Sequence, residues 1–372
     1  MITYTFQRLA FVVLTLVGIT GLTFIFIRIA PGNPASIKLQ AAQGLKAEAL
    51  SADVMDQTLK LYGLKVDLPP AYEDFIHKAN LWLYGEDPKE NPTTLRRFLD
   101  KSGQLAIQYK DWLTGIATLN FGVSYRDHRP VMESIKEALP ITLSLNLIEI
   151  LIVYFISIPL GVFSAIRRQS FTEKSTMVML LILYSLPNFW VATILLMYLA
   201  GGDHLNWFPM VGLWSEGIQS YPWWKQVGTV VWHLVLPVTC MVYGSFAYLT
   251  RFSRTTMLEV IKQDYMRTAL AKGLPRRTAI WKHAFRNSLI PLITLIGTLL
   301  PALLGGSIII EQIFAIPGMG RLAFQSVLAR DYPTIMAITT ISAFLTLISL
   351  LLSDLAYSWV DPRVTFKARE VR

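Results

Sequence analysis

Six apolar stretches dominate this sequence, and their length restricts the chain to membrane folds. A helix needs about 20 apolar residues to cross roughly 30 Å of hydrocarbon. The chain is 53% hydrophobic and 16% charged, whereas soluble domains are about a quarter charged. We therefore predict an all-α integral membrane protein with six transmembrane helices. The predicted spans are 9–29, 142–166, 177–199, 234–249, 289–310 and 335–359.

Lys and Arg are distributed unevenly between alternate loops, and this asymmetry predicts the orientation of the chain. Loops on the cytoplasmic side carry an excess of these residues. Segment 251–287 holds nine Lys/Arg against two acids, which is a net charge of +7 within a formal +9 for the chain. The loops 200–233 and 311–332 hold only one and two Lys/Arg. Both termini and segment 251–287 are therefore predicted to be cytoplasmic.

The chain is predicted to divide into an N-terminal transmembrane helix, 1–30, an extracytoplasmic helical insertion, 31–138, and a five-helix core, 139–372. We expect the first helix to remain as an anchor, because a signal-peptide cut after Ala30 would place Arg28 where a small residue is expected. The insertion is interpreted equally well as a small helical cap or as a docking surface for a soluble partner. Its short amphipathic helices are predicted at 47–62, 71–84, 95–115 and 131–139.

Within the basic segment, one glycine and one proline predict two helices joined by a defined turn. Residues 255–270 contain no Gly or Pro and can form a helix. Gly273 suits the left-handed position that ends a helix, and Pro275 suits the first turn of a second helix over 276–286. Small side chains beside the turn would let the first helix sit deep in a groove of a partner. They belong to Thr268, Ala269 and Ala271.

Two other interpretations of this segment remain open. The charges could only enforce topology, or the helices could lie on anionic lipid. Neither role requires a defined turn between the helices. The turn therefore favours docking of a cytoplasmic protein.

Polar side chains in the predicted spans are the candidates for a path through the membrane. Glu149 lies in the middle of the second span, near Asn146, and an ionisable group inside a span is functional by default. Glu149 could instead pair with another span or snorkel towards the interface. Ser307 follows two glycines at the end of the fifth span. Asn146, Glu149 and Ser307 are the predicted path residues.

Sequence motifs argue against catalysis by this chain. It contains no Gly-Lys dipeptide and therefore no P-loop for ATP. It also lacks His-Glu-x-x-His and paired-cysteine metal spacings, and its five histidines are scattered. We therefore expect no catalytic site, no cofactor and no metal site.

The turn and the residues after it resemble a known family of membrane proteins. Segments 267–274, Arg-Thr-Ala-Leu-Ala-Lys-Gly-Leu, and 283–291, His-Ala-Phe-Arg-Asn-Ser-Leu-Ile-Pro, resemble the coupling loop of ABC importer permeases. The form is that of the dipeptide/oligopeptide/nickel branch, since the general form has Glu at the place of Arg267. Within this branch the chain looks most similar to the subgroup assigned to peptides and microcin C. Further matches lie at 120–124, 139–143, 311–314, 317–320 and 330–333.

The resemblance implies a type I ABC importer permease fold, called MetI-like, and a role as the transmembrane subunit of the importer. This subunit would form the path for peptides, or peptide-like compounds such as microcin C, delivered by a solute-binding protein. The implied location is the bacterial cytoplasmic (inner) membrane. The residues implied to contact the ATPase are Tyr265, Arg267, Thr268, Ala269, Ala271, Lys272, Gly273, Leu274 and Pro275.

The same resemblance implies the partners of the chain. They are two ABC ATPase subunits that bind the ATP, a second similar permease, an extracytoplasmic solute-binding protein and membrane lipids. No nucleic acid is implied. The alternative from another functional class is a passive channel or membrane scaffold that recruits a cytoplasmic partner through its basic loop.

Overall fold

A computed structural model describes residues 2–29, 57, 60, 65–84, 94–200, 204–215, 217–299 and 306–360. In these ranges the regular secondary structure is helical, and an isolated antiparallel bridge joins Val123 to Pro130. The helix predicted at 47–62 lies almost entirely outside the described residues.

The helices are numbered here in chain order. They are α1 Ile2–Ile29, α2 Pro70–Tyr84, α3 Thr94–Ala117, α4 Val131–Ile166, α5 Phe171–Ser185, α6 Asn188–Leu195, α7 Trp223–Ile261, α8 Asp264–Ala271, α9 Arg276–Thr278, α10 Phe285–Leu299, α11 Ile308–Ile313, α12 Met319–Leu328 and α13 Tyr332–Val360. A π-helical turn, Leu196–Ala200, extends α6, and a second, Ala279–Ala284, joins α9 to α10.

Among the described residues, four helices are long and apolar enough to cross a membrane. Helices α5 and α6 meet at a 91° bend at Leu186-Pro187. They form a fifth candidate if the bent pair counts as one span. The predicted fifth span, 289–310, includes residues 300–305, which lie outside the described part of the chain. The four single-helix candidates are Gln7–Ile27, Val131–Ile166, Trp223–Ile261 and Tyr332–Leu352.

Helix α7 differs from the sequence prediction at both ends. It is one helix of 39 residues that includes Pro237, about 58 Å long at 1.5 Å per residue, so it is far longer than the hydrocarbon core. The helix predicted over 255–270 is interrupted at Lys262 and Gln263, whose N–H groups bond to carbonyls three residues earlier. Gln263 has an extended backbone, so α7 ends and α8 begins there.

The chain forms two compact units, of which the first comprises Met1–Leu16, Ser134–Gln325 and Thr340–Arg372. One core cluster of this unit joins residues of α4, α6, α7 and α11, including Leu145, Leu236 and Ile310. A second cluster gathers the C-terminal ends of α4 and α7 with α8 and the π-helical turn.

The second unit comprises Val17–Glu133 and Ser326–Thr339. Tyr109 of α3 packs against α1 in this unit, with its hydroxyl 3.1 Å from that of Thr20. The buried carboxylate of Asp331 accepts hydrogen bonds from the Ser124 and Thr334 hydroxyls and from the Tyr125 N–H. These bonds connect the loop before α4 to the N-terminus of α13.

Candidate functional site

The turn after α8 is a Schellman motif, in which two backbone N–H groups close the end of the helix. The N–H of Gly273 donates to the Leu270 carbonyl at 3.0 Å, and that of Leu274 donates to the Ala269 carbonyl at 3.2 Å. Gly273 has a φ of +84°, so the predicted left-handed glycine is confirmed. Pro275 directly precedes α9 rather than lying in its first turn.

Helix α8 is fixed to the rest of the first unit by one side of its surface. Met266 is 2% exposed and packs with Val162 of α4, Met257 of α7 and Ile280 of the π-helical turn. Leu274, after the turn, packs against the same cluster. A helix of eight residues would be marginal alone, and this packing gives it a defined position.

The opposite side of α8 and the turn face outwards. The Thr268 hydroxyl donates to the Asp264 carbonyl at 3.0 Å. Arg267 is 3.7 Å from Asp264, with both exposed, and an exposed pair of this kind contributes little. The Tyr265 hydroxyl accepts a hydrogen bond from the Asn287 amide at 2.9 Å. Seven of the nine predicted ATPase-contacting residues are exposed and two, Ala269 and Leu274, are partly buried. The exposed ones are Tyr265, Arg267, Thr268, Ala271, Lys272, Gly273 and Pro275.

One of the nine basic residues of segment 251–287 has an internal role. Arg254 forms an ion pair with Glu173 of α5, which is 7% exposed. Glu173 also accepts the Gln169 N–H at 2.9 Å, and its own N–H donates to Ser170, the N-cap of α5. The sequence prediction missed Glu173, although Ser170-x-x-Glu173 has the spacing of a capping box.

The predicted path residues Asn146, Glu149 and Ser307 line one cavity of about 550 Å³. Its walls come from α4, α5, α6, α7 and α10 and from the segment before α11. The Ser245 hydroxyl of α7 donates to Oε1 of Glu149 at 2.8 Å. The structure therefore brings three residues that are up to 161 positions apart into one site, which has the size of small-ligand pockets.

A buried carboxylate on α11 holds this short helix in place. Glu311 is 1% exposed, and its oxygens accept the Thr142 hydroxyl at 3.0 Å and the Arg321 N–H at 2.9 Å. Thr142 in turn accepts the Met319 N–H at 2.8 Å. Burial raises the pKa of Glu311, and these hydrogen bonds oppose the rise. These hydrogen bonds connect α11 and the start of α12 to α4.

Glycines make room for this carboxylate. A Cβ added at Gly306 or Gly318 would lie 2.5 Å from a Glu311 oxygen, and one added at Gly320 would lie 3.0 Å away. Gly306 also lines the cavity. The sequence prediction placed Glu311 in a family signature without assigning it a role. Within the described part of the chain, no group of His, Cys, Asp and Glu could hold a metal ion.

The family described as "binding-protein-dependent transport system inner membrane component" matches residues 157–366. The chain belongs to this family. It is therefore a multi-pass inner membrane component of a transport system, and the resemblance drawn from the sequence is confirmed.

Curated proteins similar to this transport component align along nearly its whole length. The oligopeptide transport system permease protein AppB of Bacillus subtilis is 34% identical over 98% of this chain and 100% of its own. The peptidoglycan transport system permease protein YejB of Agrobacterium fabrum is 32% identical over 99% of both chains. The inner membrane ABC transporter permease protein YejB of Escherichia coli is 31% identical over 98% of this chain and 99% of its own.

Proposed function

We propose that this chain is the transmembrane permease subunit of an ABC importer that carries peptides into the cell. Its similarity to permeases named for oligopeptide and peptidoglycan transport supports the substrate class. The chain has no P-loop, so the energy comes from ATP bound by two separate ATPase subunits. A solute-binding protein delivers the peptide, and a second, similar permease completes the path.

One observation carries this proposal: α8 has a buried side that fixes it and an exposed side that is free for a partner. Met266 anchors the helix, while Arg267, Thr268 and Ala271 face outwards. The Schellman turn at Gly273 sets the direction in which the chain leaves the helix. An exposed helix with small side chains and flanking cations suits a groove on an ATPase.

Transport requires that the ATPase bind this surface with different affinity in its two nucleotide states, because otherwise no conformational equilibrium shifts. Helix α7 connects α8 with the cavity. Ser245, a cavity residue, lies about 24 Å along α7 from its end at Ile261. Because Met266 of α8 packs against Met257 of α7, a displacement of α8 is converted into movement of the cavity wall.

We further propose that the chain has six spans and that both termini lie in the cytoplasm. An extracytoplasmic insertion over 31–138 precedes the core over 139–372. Peptide-like compounds such as microcin C belong to the same substrate class. Asn146, Glu149 and Ser307 line the transport path.

The test is peptide uptake by the complete importer in proteoliposomes, with ATP hydrolysis measured in parallel. In Gly273→Pro, the fixed φ of proline near −65° excludes the native φ of +84°. The bond from residue 273 to the Leu270 carbonyl is also lost. We expect at least a tenfold loss of uptake, the effect of about 1.4 kcal/mol or more on the docked state.

Gly217→Pro is the matched control, because Gly217 also has a positive φ, +74°, and no atom within 4 Å of an added Cβ. It lies in the loop before α7 and should retain ATPase binding and uptake. Full uptake by Gly273→Pro would overturn the coupling role of the turn. Uptake that needs neither ATP nor the ATPases would show a passive channel instead.

A further inference from the structure

We infer that the cavity between α4 and α7 binds an alkylammonium group of the transported peptide, with the Glu149 carboxylate as its counter-ion. This inference rests on the proposed peptide transport and adds the chemistry by which the path recognises its substrate. An alkylammonium occurs at the N-terminus of every unblocked peptide and on the side chain of lysine. Both sources offer the same charge and hydrogen-bond donors.

The charge of the cavity is the first ground for this inference. Glu149 is an acid, and among the described residues that line the cavity there is no Lys or Arg. A carboxylate in a membrane span is costly unless it is paired. A cationic group that enters the cavity would supply the missing partner.

The hydrogen bonds of Glu149 are the second ground. The Ser245 hydroxyl donates to Oε1 at 2.8 Å and fixes the orientation of the carboxylate. Among the described residues, none donates a hydrogen bond to Oε2. An ammonium has three donors and no acceptor, so it complements a carboxylate that retains free acceptor positions. The C-terminal carboxylate of a peptide would be repelled from the same place.

Aromatic side chains are the third ground. Tyr154, Tyr184 and Tyr248 line the same cavity, and the faces of aromatic rings attract cations. The buried hydroxyl of Tyr154 finds no hydrogen-bond partner in the described part of the chain. A buried hydroxyl without a partner is costly, and its oxygen can accept one of the ammonium protons. The carboxylate, the rings and this hydroxyl together select for a cation.

The experiment compares Glu149→Gln with the wild-type chain in the complete importer. Gln keeps the shape of the side chain and its ability to bond Ser245, but it removes the charge. Initial rates of ATP-dependent uptake are measured for trialanine, N-acetyl-trialanine and N-acetyl-Ala-Lys-Ala. The binding protein is the same with both permeases, so its own preference cancels when the mutant rate is divided by the wild-type rate.

We expect Glu149→Gln to lower uptake of an ammonium-bearing peptide about tenfold, which corresponds to about 1.4 kcal/mol. Uptake of N-acetyl-trialanine should change less than about twofold, because that peptide has no cation to lose. Loss with trialanine alone assigns the site to the N-terminus, and loss with the lysine peptide alone assigns it to the side chain. Either pattern supports the inference.

Controls separate recognition from structural damage. Glu259→Gln removes an exposed carboxylate of α7 that does not line the cavity, and it should leave all three ratios unchanged. Ser245→Ala frees the Glu149 carboxylate without neutralising it, so it should lower uptake of the same peptides by a smaller factor. If the binding protein rejects acetylated peptides, equilibrium binding of the three peptides to the importer in nanodiscs gives the same comparison.

Two results would overturn the inference while the proposed function stands. Equal loss for all three peptides would mean that Glu149 supports the structure or pairs with another subunit. No loss for any peptide would remove it from recognition. If the wild-type importer took up none of the peptides with ATP, the proposed function itself would fail.

Discussion

The packing around Glu311 predicts that one methyl group added at Gly318 lowers the stability of the chain. In Gly318→Ala the added Cβ would lie 2.5 Å from Oε2 of Glu311 and 2.6 Å from Oγ1 of Thr142, roughly 1 Å inside normal contact. The backbone itself accepts alanine, because Gly318 does not have the positive φ that favours glycine. The substitution therefore tests packing alone.

The expected loss of stability combines two effects. Forcing a methyl group into a filled site costs about 1–3 kcal/mol. Displacing the carboxylate weakens its bonds to Thr142 and to the Arg321 N–H, and each bond to a charged group contributes about 1.5–3 kcal/mol. Because the site can relax, we expect a total of about 3 kcal/mol and a fall of about 5 °C in Tm.

Thermal unfolding of the purified chain in detergent, at one fixed scan rate, measures this change. Gly228→Ala is the matched control, because it lies within α7 and an added Cβ there meets no atom within 4 Å. It should leave Tm unchanged or raise it slightly, since alanine favours helix. In the double variant with Glu311→Ala the penalty of Gly318→Ala should shrink, because the obstructing carboxylate is gone. An unchanged Tm in Gly318→Ala would refute the enclosure of Glu311.

Two further variants test how α5 and α8 are held in the first unit. Glu173→Gln leaves Arg254, which is 24% exposed, without its counter-charge. Allowing for solvent screening, we expect the free energy of unfolding to fall by about 1–2 kcal/mol and Tm to fall with it. Glu173→Asp keeps the charge on a shorter side chain, so a wild-type Tm in that variant would count against the pairing geometry. Met266→Ala removes the buried anchor of α8 at a cost of about 2–3 kcal/mol. It should lower coupled ATP hydrolysis, measured in the complete importer, whereas Met266→Leu should retain it, and equal activities would contradict the anchoring role.

Local features of the fold could be predicted because they depend on short sequence patterns. Gly273 ends a helix because few residues other than glycine adopt its φ of +84° readily. Asn146 and Glu149 lie three residues apart on one helix, so their common face follows from helical spacing. Ser307 joins them across more than 150 residues of chain, and no pattern in the sequence measures that proximity.

The features that were missed depend on contacts between distant segments. Ser170 and Glu173 form a local capping signal, but Arg254 lies 81 residues further along the chain. The enclosure of Glu311 needs a threonine from α4 and glycines from both sides of α11. The fourth span was predicted only over 234–249, yet α7 extends from Trp223 to Ile261 and includes Pro237. Lipid-embedded helices can accommodate proline when neighbours satisfy the freed carbonyl.

The break between α7 and α8 bears on how a movement of α8 would reach the cavity. At Lys262 and Gln263 the N–H groups bond three residues back rather than four, and Gln263 is extended, so the helical ladder is not continuous there. A displacement of α8 is therefore transmitted poorly along the backbone. It is transmitted instead through the buried contacts of Met266 with Met257 and Val162.

Those contacts lead to two helices at once. Met257 belongs to α7, which carries Ser245, and Val162 belongs to α4, which carries Glu149. Both cavity residues lie roughly 20 Å or less along their helices from the cluster at 1.5 Å per residue. We infer that α8 moves both walls of the cavity together through this cluster. Substitutions that loosen the cluster should therefore uncouple transport more strongly than substitutions in the break, since the cluster links α8 to both helices.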